Sequence, residues 1–370
     1  MIRIVRILLC AGMAMLATSG AGREDARLGP LARSAPAMID EAQTLSVMTY
    51  NVKGLPWPIA LGRSEALEQI AMRLRALRQA GRQPHVVLLQ EGFSAQAALL
   101  ATQAGYRHAA IGPDADLRTR VAAGESDTRY LGQVRWDRGE QMGKQLGSGL
   151  MILSDYPIIG ADRMAFPDFA CAGFDCLANK GVLIAHLDVP GSGRVSIVNA
   201  HLNARTAAGV PVARSQQAYQ RQVDLMARFV SLHVPRGRPL ILGGDMNIGH
   251  DPRRRHAFFD GFARLGLRFV TPGLSGAQQA LDQAHGAGDA TRADLALAAG
   301  HAKDWLFARD SGGTAMRVLR AEVPFGAEAH GEPLSDHYGY VIHYAAQPRV
   351  PAEVVHFASR APMAVRTEQR

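Results

Sequence analysis

Two long stretches of the chain carry apolar residues at helical spacing. From about Ser64 to Ala80, Leu67, Ile70, Ala71, Leu74 and Leu77 fall on one face, and Gly81 supplies a C-terminal stop. From about Arg214 to His233, Tyr219, Val223, Met226 and Val230 fall together in the same way. Each helix leaves through a short turn, Gly81-Arg82-Gln83-Pro84 or Gly237-Arg238-Pro239, into a continuous apolar run. These runs, HVVLLQE and LILGGDMN, read as buried strands. A strand also precedes each helix: SVMTYN up to Asn51, and VSIVNAHLN up to Asn203. The chain therefore holds two copies of strand, helix, strand, with a carboxylate, Glu91 or Asp245, at the final strand end of each. Packed face to face, two such halves bring both carboxylates to one edge. Further strands are expected at 147–154, 180–188, 303–309 and 338–345, which makes an α/β sandwich of two sheets with helices outside. The Ala/Gly-rich stretch 272–300 and the polar stretch 113–146 read as surface insertions.

Composition narrows the class. A chain of 370 residues, 47% hydrophobic and 20% charged, is not disordered, collagenous or a disulfide-stapled miniprotein. The net charge of +8 and pI near 9.7 suit a polyanionic or phosphate-bearing partner. That signal is weak, because only four of the 41 cations are lysines, and so strong an arginine skew points to base composition.

The N-terminus is laid out as a secretory signal peptide over residues 1–22: Arg3 and Arg6, an apolar core from Ile7 to Ala17, then small residues. A lipoprotein anchor at Cys10 fits less well, because Leu9 stands where a small residue is usual. The protein is expected to be exported, periplasmic or secreted, and loss of Arg3 and Arg6 would lower the charge from +8 to +6. Residues 23–43 read as a linker, 44–346 as the folded domain, and 347–370 as a loosely held tail. Export leaves Cys171 and Cys176, which an oxidising compartment would join in a disulfide. Zinc is the rival, but no second cysteine pair or suitably spaced histidine accompanies them.

The chemistry-bearing residues lie at strand ends. Asn51 ends the first strand and Glu91 the next, followed by Asp245 and Asn247 in GGDMN and by Asp336 and His337 in LSDHYGY. Hard oxygen donors of this kind suit Mg²⁺, with Mn²⁺ as the alternative. The glycines at 243 and 244 lack the spacing of a nucleotide-binding loop. His250 and His256, beside the cluster Arg253–Arg255, read as solvated loop residues, and the cluster as a basic loop.

The ordered set TYN, LLQE, NAHLN, GGDMN, KDWLF and SDH resembles the endonuclease/exonuclease/phosphatase superfamily over about residues 44 to 345. That superfamily includes DNase I-like nucleases, inositol-polyphosphate phosphatases and neutral sphingomyelinases. The resemblance implies a DNase I-like four-layer α/β/β/α sandwich of two packed mixed sheets, with a divalent metal at one edge. It implies that Glu91 is the principal metal ligand, that Asn51 supports the metal or the phosphate, and that Asp336 lies beside the metal. It makes His337 the base that takes a proton from water and Asp304 the carboxylate that orients it. Asp245 and Asn247 would position the nucleophile and stabilise the pentacovalent phosphorus, and His201 would hydrogen-bond the phosphoryl oxygens.

Within the superfamily, FDCLANKGVL is similar to the neutral sphingomyelinases, which carry Asn-Lys-Gly here and an Asp five residues before the Lys. Asp175 and Lys180 meet that spacing. Together with Asn51 and Asn203 they are the expected substrate-binding residues, Lys180 as a compact cation for a phosphate oxygen. The run NVKGLPWP also resembles the lipid-acting branches, and Trp57 would sit at a lipid interface or pack against the core. No hydrophobic β-hairpin of the kind secreted bacterial sphingomyelinases use to enter membranes is apparent. The expectation is a monomeric Mg²⁺-dependent phosphodiesterase on a phospholipid, with peripheral membrane contact. A secreted nuclease on DNA or RNA is the alternative, and an inactive ligand-binding module a third reading.

Overall fold

Alternation along the strands explains how they stack. In β1 (Thr44–Asn51), Leu45 and Val47 point one way, Met48 and Tyr50 the other, and both sets are buried. A strand apolar on both faces must be covered on both. In the computed structural model, which describes residues 44–56, 59–270, 273–283, 288–309, 314–327 and 333–348, two stacked sheets with outer helices provide that cover. The expected leader, linker and Trp57, and all of the expected tail beyond Pro348, lie outside the described residues.

The first sheet takes β1 with β2 (Val86–Gln90), β3 (His108–Ile111), β4 (Met151–Ser154), β10 (Thr314–Phe325) and β11 (Gly339–Pro348). Their order is β10-β11-β1-β2-β4-β3. The second sheet runs β5 (Ile158–Ala165), β6 (Gly181–Val189), β7 (Gly193–His201), β8 (Leu240–Asp245) and β9 (Asp304–Ala308), in that order. Short helices α2 (Ala95–Ala98), α3 (Leu100–Ala104) and α4 (Glu125–Leu131) lie between strands of the first half of the chain.

Among the described strands, the parallel pairs are the two expected from the repeat. β1 and β2 are joined by helix α1 (Arg63–Gln79), and β7 and β8 by α5 (Val212–His233). Leu67, Ile70 and Leu74 of α1 cover Met48, Val87 and Leu89. Tyr219, Val223, Met226 and Val230 of α5 cover Val182, Ile184, Val198 and Leu242. Leu45, Val47, Val86 and Leu88 meet Leu183, Ala185, Ile197 and Ile241 between the sheets. Each large apolar side chain so buried contributes roughly 1.5–3 kcal/mol. Gly81 ends α1 as expected, with φ at 67° and the Arg82 N–H returning to Leu77 O at 2.8 Å.

One polar contact interrupts the apolar interface between the sheets. Asn199 of β7 donates to Leu89 O at 2.8 Å and Met151 O at 2.9 Å and accepts from Gln90 Nε2 at 2.8 Å. It lies two residues before His201, and Gln90 lies directly before Glu91. The amide pair thus fixes the sheets' relative register beside the strand ends that carry chemistry.

The stretch 272–300 is not a surface insertion. Helices α7 (Gly276–Gln283) and α8 (Asp289–His301) send Ala277, Ala280, Leu295 and Ala298 into the inter-sheet core. Small residues permit that approach, since a Cβ on Gly276 would stand 3.1 Å from Leu306 Cβ. α7 is only eight residues long and α8 carries few large apolar side chains, so neither shows a long apolar stripe in the sequence. The stretch 113–146 is mostly exposed, but Tyr130 is buried, and Glu140 makes a buried pair with Arg214 at 2.7 Å. Strands β3, β5 and β10 were not anticipated. β5 alternates half-buried and exposed positions along a sheet edge, which leaves little apolar run to read. β11 extends two residues into the segment expected to be tail.

Candidate active site

Register gathers the chemistry. Parallel β7 and β8 set His201 opposite Asp245, and antiparallel β9 sets Asp304 opposite Asp245, so the three side chains form one row. On the facing sheet, Asn51 pairs with Gln90, and Glu91 follows at once with φ of 58°. Among the described residues, the non-glycine positions with positive φ are Lys53, Glu91, Asn247 and Ala302, all in the loops at this edge. Such conformations cost of order 1–3 kcal/mol each and persist only where surrounding contacts impose them.

Asn51 joins the halves. Its Nδ2 donates to Glu91 Oε1 at 2.9 Å and to Asp245 Oδ2 at 3.1 Å, while its Oδ1 accepts from the Lys53 N–H at 3.0 Å. Asn51 thus links Glu91 and Asp245 across the two sheets. Asp245 is 2% exposed, and burial raises its pKa to about 6, with Asp304 and Glu91 adding to the rise and His337 and Lys180 opposing it. His337 Nδ1 lies 2.7 Å from Asp304 Oδ2, and its Nε2 lies 3.8 Å from Asp245 Oδ2. Burial alone would lower the His337 pKa, but the charge and hydrogen bond of Asp304, with Asp245 and Asp336, raise it to about 10.

His201 is held by Lys180, whose Nζ lies 3.0 Å from Nε2. An ammonium only donates, so Nε2 accepts, and the neutral ring carries its proton on Nδ1. Burial, then the charges of Lys180, His337 and Lys303, hold its pKa well below the usual range, which keeps the ring neutral. Lys180 is 5% exposed and also donates to Asp175 Oδ2 at 2.9 Å and Leu202 O at 3.2 Å. All three donors are engaged, and Lys180 braces His201. Asp175 also accepts from the Ala204 N–H at 2.6 Å. The disulfide Cys171–Cys176, Cα–Cα 5.3 Å, is formed and tethers the loop that bears Asp175.

The other expected residues divide. Asn247 lines the cavity, with its N–H on Asp245 Oδ1 at 3.1 Å and Nδ2 on Leu202 O at 3.0 Å. Asn203 is fully buried and turned away, accepting from the Ala172 N–H at 2.9 Å and donating to Ala204 O. Asp336 stands at the rim, its side chain 58% exposed, 3.4 Å from Lys53 Nζ. Burial works to raise its pKa, but His337 and Lys53 prevail and lower it. Among the described residues, two groups bring ligand atoms within 4.8 Å of one another: Glu91, His201 and Asp245, and Asp245, Asp304 and His337.

Glu91, His201, Asp245 and His337 floor a cavity of about 540 Å³. Its apolar walls were not anticipated: Leu55, Ile59, Phe93, Leu146, Phe174 and Leu177. Lys180 and Lys303 are the cations lining it. Arg253–Arg255 is not a basic loop but the opening of a helix, with Arg254 fully buried and Arg253 and Arg255 exposed.

Residues 48–337 match the model of the endonuclease/exonuclease/phosphatase family. The chain belongs to that family. Sphingomyelinases of Mycobacterium tuberculosis and Mycobacterium bovis are 25% identical to it over 310 residues, covering 81% of this chain and 53% of theirs. The chain thus spans about half the length of the curated relatives it matches. Among solved structures, beta toxin from Staphylococcus aureus, crystallised with bound magnesium ions, aligns with a TM-score of 0.55 at 16% identity, covering 81% of this chain and 99% of that one. Sphingomyelinase C from Streptomyces griseocarneus aligns with 0.52 at 20% identity, over 82% and 99%. Both share the family's fold, two packed sheets with outer helices.

Proposed function

We propose that this family member is an exported, divalent-metal-dependent phosphodiesterase that hydrolyses a sphingomyelin-like phospholipid. The carrying observation is the contrast between cavity floor and wall: a carboxylate–imidazole floor beneath Leu55, Ile59, Phe93, Leu146, Phe174 and Leu177. A nuclease needs a track of cations for successive phosphates, and of the two lysines here Lys180 is turned inward. An apolar wall suits a substrate whose phosphodiester joins a lipid. The expected leader and the disulfide support export, and the sphingomyelinase relatives support the lipid substrate.

The donor set fits a hard divalent cation. Glu91 and Asp245 bring carboxylates from opposite sheets into a site largely removed from water, where burial first, and then the charges of Asp304 and Glu91, raise the Asp245 pKa. These two would hold Mg²⁺ or Mn²⁺, with His201 at hand; when bound, the cation would polarise the phosphoryl group and stabilise charge on the leaving oxygen. His337 takes the proton of the attacking water at Nε2 while Asp304 holds Nδ1–H. Neutralising Asp245 weakens the field that keeps His337 protonated and brings it toward the range of a working base. His201 and Asn247 flank the phosphoryl oxygens, and water attacks in line with no covalent enzyme intermediate.

The test is a panel of sphingomyelin, lysophospholipid, plasmid DNA, RNA and inositol phosphates, each with Mg²⁺ and with EDTA. Sphingomyelin should be hydrolysed with Mg²⁺ and spared with EDTA. Turnover that survives chelation would remove the metal. Cleavage of DNA alone, falling steeply with salt, would replace the lipid reading with a nuclease.

A further inference from the structure

Arg254 is the third residue of α6 (Pro252–Ala263), and none of its surface is exposed. No carboxylate pairs with it among the described residues. Its Nη1 donates to Asn203 O at 2.7 Å and to Asn247 O at 2.9 Å, and its guanidinium lies 4.3 Å from the centre of the Tyr219 ring. Nε and Nη2 are buried without hydrogen-bond partners. A guanidinium taken out of water without a counter-charge is expensive, and an apolar side chain of similar length is ordinarily the more stable choice. The group is retained where two loops converge. Asn203 belongs to the loop after β7, which follows His201 and contributes Ala204 and Ala207 to the cavity. Asn247 belongs to the loop after β8, and its N–H holds Asp245 Oδ1.

We infer that Arg254 is a positioning residue: one buried guanidinium clamps the β7 and β8 loops at their backbone and so sets the orientation of Asp245 and Asn247 relative to His201. The clamp acts through other residues, since Arg254 does not line the cavity. Arg253 and Arg255 have no part in it. The link to catalysis rests on the phosphodiesterase reading, whereas the clamp itself is independent of what the site hydrolyses.

Two measurements separate those levels. In Arg254→Lys, whose nitrogen ends one bond short of the place of Nη1 and so does not reach both carbonyls, hydrogen exchange of amides 202–207 and 246–251 should quicken by about tenfold or more. The strands β1, β2 and β6 should keep their protection. These loop amides are hydrogen-bonded in the intact protein, Leu202 to Asp245 O and Gly249 to Ala302 O among them, so the change is readable. Unaltered exchange in both loops would overturn the clamp, whatever the substrate. With the substrate found active in the panel, Arg254→Lys should lower kcat about tenfold at nearly constant KM, whereas Arg253→Ala should leave both unchanged. An unchanged kcat per folded molecule would overturn the positioning role. Should Arg254→Lys fail to fold, Tyr219→Leu decides the matter: it removes the ring over the guanidinium, and the same two loops should lose protection selectively, with unchanged protection counting against the clamp.

Discussion

The two strand–helix–strand halves share one frame and carry different work. In the first, the loop after β1 is tied by Arg63 at the start of α1, which donates to Lys53 O and Val52 O at 2.8 Å and to Leu334 O at 2.7 Å. That tie joins it to the loop before His337, and its guanidinium is only half-buried. In the second, the comparable tie is made by the fully buried Arg254. The first half supplies one carboxylate, Glu91, and apolar wall. The second supplies His201, Asp245 and Asn247 in a dense network, braced by Lys180 and Asp175. Strand ends alone therefore do not make a carboxylate special. Burial among other charges does, and it lifts Asp245 to about 6.

The contrast is broken most sharply where the halves meet. His337→Ala removes the group held between Asp304 and Asp245, and kcat should fall by on the order of 10²-fold or more. A rate unchanged in steady-state assays would strip His337 of the role of base. Next in size are the apolar walls, to which Ile59 comes from the loop after β1 and Phe174 from the segment before β6. Ile59→Ser with Phe174→Ser should raise KM for sphingomyelin about tenfold, the loss expected from exposing a modest apolar contact. A small water-soluble phosphodiester should be unaffected; equal damage to both substrates would mean that the walls shape the floor and hold no lipid.

The smallest effect lies outside both halves. The hydrogen bond from His343, at 3.1 Å, chiefly lowers the Glu322 pKa from 4.5 to about 2, and Arg82 and Arg320 add to it. A depressed carboxylate contributes stability that is full above its unfolded pKa and is lost as pH falls from about 4.5 to about 2. Glu322→Gln should therefore cost on the order of 2 kcal/mol at neutral pH, a figure discounted for the exposed arginines, and nothing near pH 2. Denaturant melts at both pH values would show it, and a loss that persists in acid would assign the effect to packing. Acid sensitivity of folding would then arise at β10 and β11, and that of turnover at the site.

Much of the site was legible because strand-end polar residues break an apolar run visibly. Glu91, Asp245, Asp304 and His337 announce themselves against HVVLLQ, LILGG, WLFA and GYVI. The helical faces of α1 and α5 were legible because they run for several turns with large apolar residues, whereas α7 is short and α8 has few such residues. The scarce lysines were a partial guide. Lys180 proved to be buried and Lys303 lines the cavity, but Lys144, outside every motif, is nearly buried too, 3.6 Å from Cys171 Sγ. Arg254 was illegible. Three consecutive arginines look alike in a chain where arginine is common, and only the turn of α6 chooses which one faces inward.

By itself the sequence determined the repeated frame, the order of the motifs and the edge to which they run, because local hydrophobic period dictates strand and helix, and a parallel pair demands a crossover. The tertiary structure alone decided what each polar residue does there. Asn51 became a bridge, Lys180 a brace, Asn203 a buried tether and Arg254 a clamp, because hydrogen-bond partners and burial depend on groups far apart in the chain. Asn51 and Asp245 meet across 194 residues, a contact that no local pattern encodes.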